Sequence, residues 1–163
     1  MIRASRQELG GYVRDLVATM ERFGSTFHDI DLLELRAHRD GTVRLDLTAD
    51  LPWGPAAITP TVRMREVWRP EGVESVELAQ YAYELLHPPL DYRRALHLHQ
   101  PEAFLRAFGR PEHEHCEAPV GWAACEHVAG EPVRGAIDGF RRLLEVFVTG
   151  EPADCRALRC LDG

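Results

Sequence analysis

The sequence predicts a single α+β domain: a mostly antiparallel sheet with an N-terminal and a C-terminal helix packed on one face. Three observations carry this. A helical stripe of apolar residues stands near each end, a series of segments alternating apolar and polar lies between them, and no two strands are separated by a full-length crossover helix of the kind parallel pairing requires. At 163 residues with 45% apolar content, one core is enough and residues 1–150 read as one domain, followed by a tail over 151–163.

The first helix is predicted from Arg6 to Phe23, because Leu9, Tyr12, Val13, Leu16, Val17, Met20 and Phe23 recur at steps of three and four. Ser5 followed three residues on by Glu8 forms a capping box, and Gly24 supplies the stop. Next, Leu33, Leu35 and Ala37 alternate with polar residues, as do Val43, Leu45 and Leu47. Asp40-Gly41 between them predicts a hairpin closed by a primed two-residue turn. Prolines at 52, 55 and 60 precede a third strand from Thr61 to Trp68, and Pro70-Glu71-Gly72 turns it into a fourth over about Glu74–Leu86.

Pro88-Pro89 ends that strand, and Tyr92, Arg94, Leu96 and Leu98 alternate with Arg93, Ala95, His97 and His99 in a fifth. Pro101 opens a short helix with Phe104, Leu105 and Phe108 on one face and Gly109 at its end. The last helix, Val133–Val148, places Val133, Ile137, Phe140, Leu144 and Phe147 at helical spacing.

The formal charge of −7 opposes diffuse attraction to phosphate, so an RNA partner needs a local basic patch. Candidates are Arg63 and Arg65, Arg93 and Arg94, and Arg134, Arg141 and Arg142. The N-terminus has no signal-like apolar core and no run of about 18 apolar residues occurs, which points to a cytoplasmic protein without a membrane span. The cysteines Cys116, Cys125, Cys155 and Cys160 then read as thiols or metal ligands rather than a disulfide frame.

The segment richest in chemistry is His113-Glu114-His115-Cys116-Glu117 and Trp122-Ala123-Ala124-Cys125-Glu126-His127, flanking Pro119-Val120-Gly121. A hairpin centred on Val120 sets 113 against 127 and 115 against 125, so His113, His115, Cys125 and His127 share one face and zinc becomes geometrically feasible. A register slip of one residue sends one strand's set to the opposite face and dissolves the site. His97 and His99 join the cluster if the fifth strand pairs with this hairpin, and imidazoles so gathered suit acid–base work without metal.

Tyr81-Ala82-Tyr83-Glu84-Leu85, then Tyr92-Arg93-Arg94, then His113-Glu114-His115, then a helix, resemble in order the TumE-like toxin components of bacterial toxin–antitoxin pairs, over about residues 42–148. That family carries an acid shortly after the arginine; here Ala95-Leu96 stand in its place. The resemblance implies an RNA-directed toxin of ribonuclease type, neutralised by a cognate antitoxin. Its candidate catalytic residues are His113, His115, Arg94 and Tyr83, with one imidazole taking the 2′-hydroxyl proton, another protonating the leaving oxygen and arginine opposing phosphate charge. Two other readings stay open, a zinc-binding protein or metal-dependent hydrolase and a non-catalytic interaction module. Unpaired strand edges predict a homodimer.

Overall fold

The computed structural model describes residues 2–34, 40–54, 59–90, 92–98, 106, 111–117, 125–128 and 133–149, with the backbone alone at 31–34, 115–117 and 125–128. In chain order the elements are β1 (Arg3–Ser5), α1 (Arg6–Arg22), β2 (Thr26–Glu34), β3 (Val43–Asp50), β4 (Thr61–Pro70), β5 (Ser75–His87), β6 (Tyr92–Leu98), β7 (Glu112–Glu117), β8 (Cys125–Val128) and α2 (Ala136–Thr149). The strands β2 to β8 form an antiparallel meander in sequence order, and β1 joins at the start of β5. The predicted short helix near 101–108 and the tail lie outside the described residues, apart from helical Arg106. Among the described residues, no helix is long and apolar enough to cross a membrane.

α1 begins where its capping box predicts. The Ser5 hydroxyl accepts from the Glu8 backbone N–H at 3.1 Å, and the Ser5 N–H donates to the Glu8 carboxylate at 2.6 Å. Gly24, at φ +83°, supplies the left-handed residue that ends the helix. β1 was not anticipated, because three residues show no periodicity; its pairing with β5 ties the start of α1 to the sheet.

The first hairpin departs from expectation. β2 pairs β3 with Glu34 opposite Val43, so the ladder is centred between 38 and 39 rather than on Asp40-Gly41. A two-residue turn at Asp40-Gly41 is therefore excluded. The register follows burial: Val43, Leu45, Leu47 and Ala49 fill the core side of β3 and align with Trp68, Met64 and Val62 of β4. Gly41 keeps a positive φ of +70°, and its carbonyl accepts from Arg6 at 2.9 Å.

Both helices cover one face of the sheet, as predicted. Leu9, Leu16 and Met20 of α1 and Phe140, Leu143 and Leu144 of α2 share one core with β3, β4 and β5. Each large side chain so buried contributes roughly 1.5–3 kcal/mol. Gly139 brings α2 close to the sheet: a Cβ there would lie 2.6 Å from a Tyr83 ring carbon. The opposite face carries no helix among the described residues and bears mostly the polar phase of the strands, although Ala95 and His113 on it are fully buried.

Candidate functional site

On the helix-free face, pairing of β6 with β7 sets His97 opposite His113. Their rings stand 5.5 Å apart, nearly perpendicular. His113 is fully buried, and its Nδ1 lies 3.3 Å from the Pro111 carbonyl. The His97 side chain keeps 15% exposure, and its Nε2 lies 3.9 Å from Glu84 Oε1. Glu84 also accepts from Arg93 at 2.8 Å. The expectation that His97 joins the histidine strand is met; His99 lies outside the described residues.

Beside this pair runs a polar trough of about 400 Å³ lined by side chains that include Arg44, Asp46, Arg63, Arg65 and Glu84. It exists because the small Ala82 lies between Arg65 of β4 and His97 of β6 in register, leaving the floor low. Asp46 accepts from Arg44 at 2.5 Å and from Arg65 at 2.9 Å. Burial alone would raise the Asp46 carboxyl, but these two guanidiniums outweigh it and hold the group below the usual carboxylate range. Arg63 is exposed and makes no ion pair among the described residues. Strand spacing of about 4.8 Å puts the Arg65 and His97 backbones roughly 10 Å apart. An extended anion could therefore touch both.

Arg94 and Tyr83 do not belong to this surface. Both lie on the helix side, because Leu96 opposes Tyr83 and Glu114 while His97 opposes Ala82 and His113. Arg94 is buried and ion-paired with Glu114. Tyr83 is buried, stacked on Tyr81 at 4.5 Å and edge-on to Phe140 at 5.9 Å. The expected catalytic quartet is thus split by the sheet. His113 and His115 share one parity of β7, with His115 opposite Ala95.

The expected metal quartet is split as well. β7 pairs β8 with His113 opposite Val128, Glu114 opposite His127, His115 opposite Glu126 and Cys116 opposite Cys125. That is a slip of one residue from the register centred on Val120, and it places the positions of His113 and His115 on the face opposite those of Cys125 and His127. β7 is fixed from its other side, where Arg94 with Glu114 and His97 with His113 set its phase against β6. Among the described residues, no group of three His, Cys, Asp or Glu side chains is placed to hold a metal ion.

Glu66 is the residue the sequence reading passed over. It occupies the apolar phase of β4, between Met64 and Trp68, and is fully buried. Tyr12 and Tyr83 each donate to Oε1 at 2.7 Å, and Trp68 Nε1 donates to Oε2 at 2.9 Å. Burial pushes the Glu66 carboxyl up, and the three donors offset part of that rise. Burial, and then the carboxylate itself, raise both phenols. A charged letter in the apolar phase of a strand was the available signal. Closed from solvent and held by three donors, this group fixes α1 onto the sheet rather than meeting a substrate.

No family model, curated protein or solved structure matches the chain.

Proposed function

We propose that the protein is an RNA-directed enzyme of ribonuclease type, toxin-like, whose working surface is the helix-free face of the sheet. The observation that carries the reading is the His97–His113 contact at 5.5 Å on the face that also bears Arg63, Arg65 and Arg93. The motif order shared with TumE-like toxins adds to it. In this reading His97 and His115 act as the acid–base pair, one taking the 2′-hydroxyl proton and the other protonating the leaving 5′ oxygen. His113 is a positioning residue, since a fully buried ring meets no substrate directly. Glu84 orients His97, and Arg63 and Arg65 hold phosphate. The arginines of the trough are matched by Asp29, Asp46 and Glu84, so in a chain of net charge −7 phosphate attraction here is local to the exposed Arg63 rather than a field of the whole face. A cognate antitoxin is the protein partner this reading implies.

The test is cleavage of an end-labelled single-stranded RNA by purified protein, beside the same sequence lacking 2′-hydroxyls. Expected are products ending in a 2′,3′-cyclic phosphate, an intact deoxy strand, and a loss on the order of 10²–10⁴-fold in His97→Ala at unchanged far-ultraviolet circular dichroism. Cleavage that persists in His97→Ala, or that spares no deoxy strand, overturns the reading.

One observation favours a non-catalytic interaction module instead. Phe23 and Val148, about half exposed, flank an apolar groove with Trp53 between α1 and α2. That reading predicts self-association, seen by light scattering and abolished by Phe23→Asp, in a protein without RNA turnover.

A further inference from the structure

A β-bulge near the start of β2 sets one end of the polar trough. The β2–β3 register shifts between Phe27 and Asp29, with His28 as the extra residue, so Phe27 opposes Ala49 of the core while Asp29 opposes Thr48 on the helix-free face. An unbroken ladder would have set Asp29 against Leu47 and the core. The same row continues across the sheet from Thr48 to Arg63. Asp29 and Arg63 are both exposed and both line the trough, and neither makes an ion pair among the described residues. The short Thr48 lies between them. We propose that Asp29 and Arg63 together form a binding site for a guanine base, an inference that rests on the ribonuclease reading for its substrate and names the base accepted at this site.

The chemistry follows from an acid and a base held apart. A phosphate bound at Arg63 meets the charge of Asp29 two strands away, whereas a neutral ligand that donates at one end and accepts at the other satisfies both. Among the four bases guanine is that ligand. Its N1–H and N2 amino group donate side by side to a carboxylate, and its O6 and N7 accept side by side from a guanidinium. Adenine has no N1–H and carries an amino group in place of O6, and the pyrimidines have no N7. Strand spacing of about 4.8 Å puts the Asp29 and Arg63 backbones roughly 9.6 Å apart. Hydrogen bonds of about 2.9 Å at each end leave between them the width of one purine. Asp46 and Arg65, paired with each other, occupy the next row along the strands, and the Arg65 guanidinium plane offers the base a stacking surface. Arg63 has five N–H donors, so two committed to O6 and N7 leave others for the adjoining phosphate.

The experiment measures, by fluorescence anisotropy at low salt, binding of the full chain to labelled deoxythymidine pentamers whose central base is guanine, hypoxanthine (no N2 amino group), 7-deazaguanine (no N7) or adenine. The deoxy backbone removes cleavage from the measurement. Expected is a preference for guanine over adenine of about 5–150-fold, the range of one bidentate base contact, with hypoxanthine and 7-deazaguanine in between. Asp29→Ala erases the distinction between guanine and hypoxanthine, and Arg63→Ala that between guanine and 7-deazaguanine, both at unchanged far-ultraviolet circular dichroism because both side chains are exposed. A residue that holds phosphate alone weakens all four strands equally. Competition by guanosine 5′-monophosphate separates the sources of the base: displacement at equal affinity assigns the site to a free nucleotide and weaker displacement to a strand, and the guanine site stands in either case. A guanine preference without any RNA cleavage likewise upholds the site while removing the ribonuclease reading. The proposal is overturned by equal affinity for guanine and adenine, by absence of binding to every strand, or by a guanine preference that survives both substitutions.

Discussion

Replacing Tyr83 with phenylalanine isolates the buried carboxylate network. The ring keeps its volume, its stacking on Tyr81 and its edge contact with Phe140, so no cavity opens. What is lost is the 2.7 Å donation to Glu66 Oε1. A hydrogen bond to a charged group is worth about 1.5–3 kcal/mol, and one between neutral groups about 0.5–1.5 kcal/mol. A loss of about 0.5–3 kcal/mol is expected, toward the upper end wherever Glu66 is ionised, which for a chain of this size lowers Tm by roughly 2–4 °C per kcal/mol. The sign of the pH dependence follows from Glu66. Its folded pKa is raised above the unfolded value, and the Tyr83 donor favours the ionised form. The cost of Tyr83→Phe is therefore smallest below the unfolded carboxylate pKa and grows as pH rises through the folded one. Urea denaturation of both proteins across that window measures it, with circular dichroism as the readout. A cost under about 0.5 kcal/mol at neutral pH, or one that shrinks as pH rises, refutes the assignment of Glu66 as the acceptor of the Tyr83 donation.

Two further predictions concern the same core. Glu66→Gln removes a group whose raised pKa makes stability fall as pH climbs through its folded value. The stability of the variant relative to the unmodified protein should therefore increase with pH above the carboxylate range, whatever constant penalty the Gln amide incurs against the Trp68 N–H; a flat difference in urea midpoint defeats this. Gly139→Ala drives a methyl to 2.6 Å from the Tyr83 ring, and that ring is pinned between Tyr81 and Phe140. Overpacking of this kind costs about 1–3 kcal/mol, so calorimetry should show a lower Tm despite the higher helix propensity of alanine, and an unchanged or higher Tm would show that α2 shifts freely.

Local signals along the chain were enough for the α+β class, the capped first helix, the strands from Thr61 to Leu98 and the last helix. Each rests on local periodicity and on terminators such as Ser5, Glu8, Gly24 and Pro70, which act within a few residues. Alternation also put His97 and His99 on one face of their strand, as residues that join the histidine cluster only if that strand pairs with the hairpin. Tertiary structure alone decided register. The Val120-centred hairpin and the Asp40-Gly41 turn were both inferred from turn residues, yet β7 takes its phase from β6 and β3 from the core it shares with β4. In an antiparallel sheet a strand answers to two neighbours and to the face that must be buried. A slip of one residue reverses every side chain, so the membership of a site, His113 with His97 rather than with His127, is settled by packing that no single segment encodes. The same reason hid Glu66: its partners Tyr12 and Tyr83 are 54 and 17 residues away, and only the folded core brings them to one carboxylate.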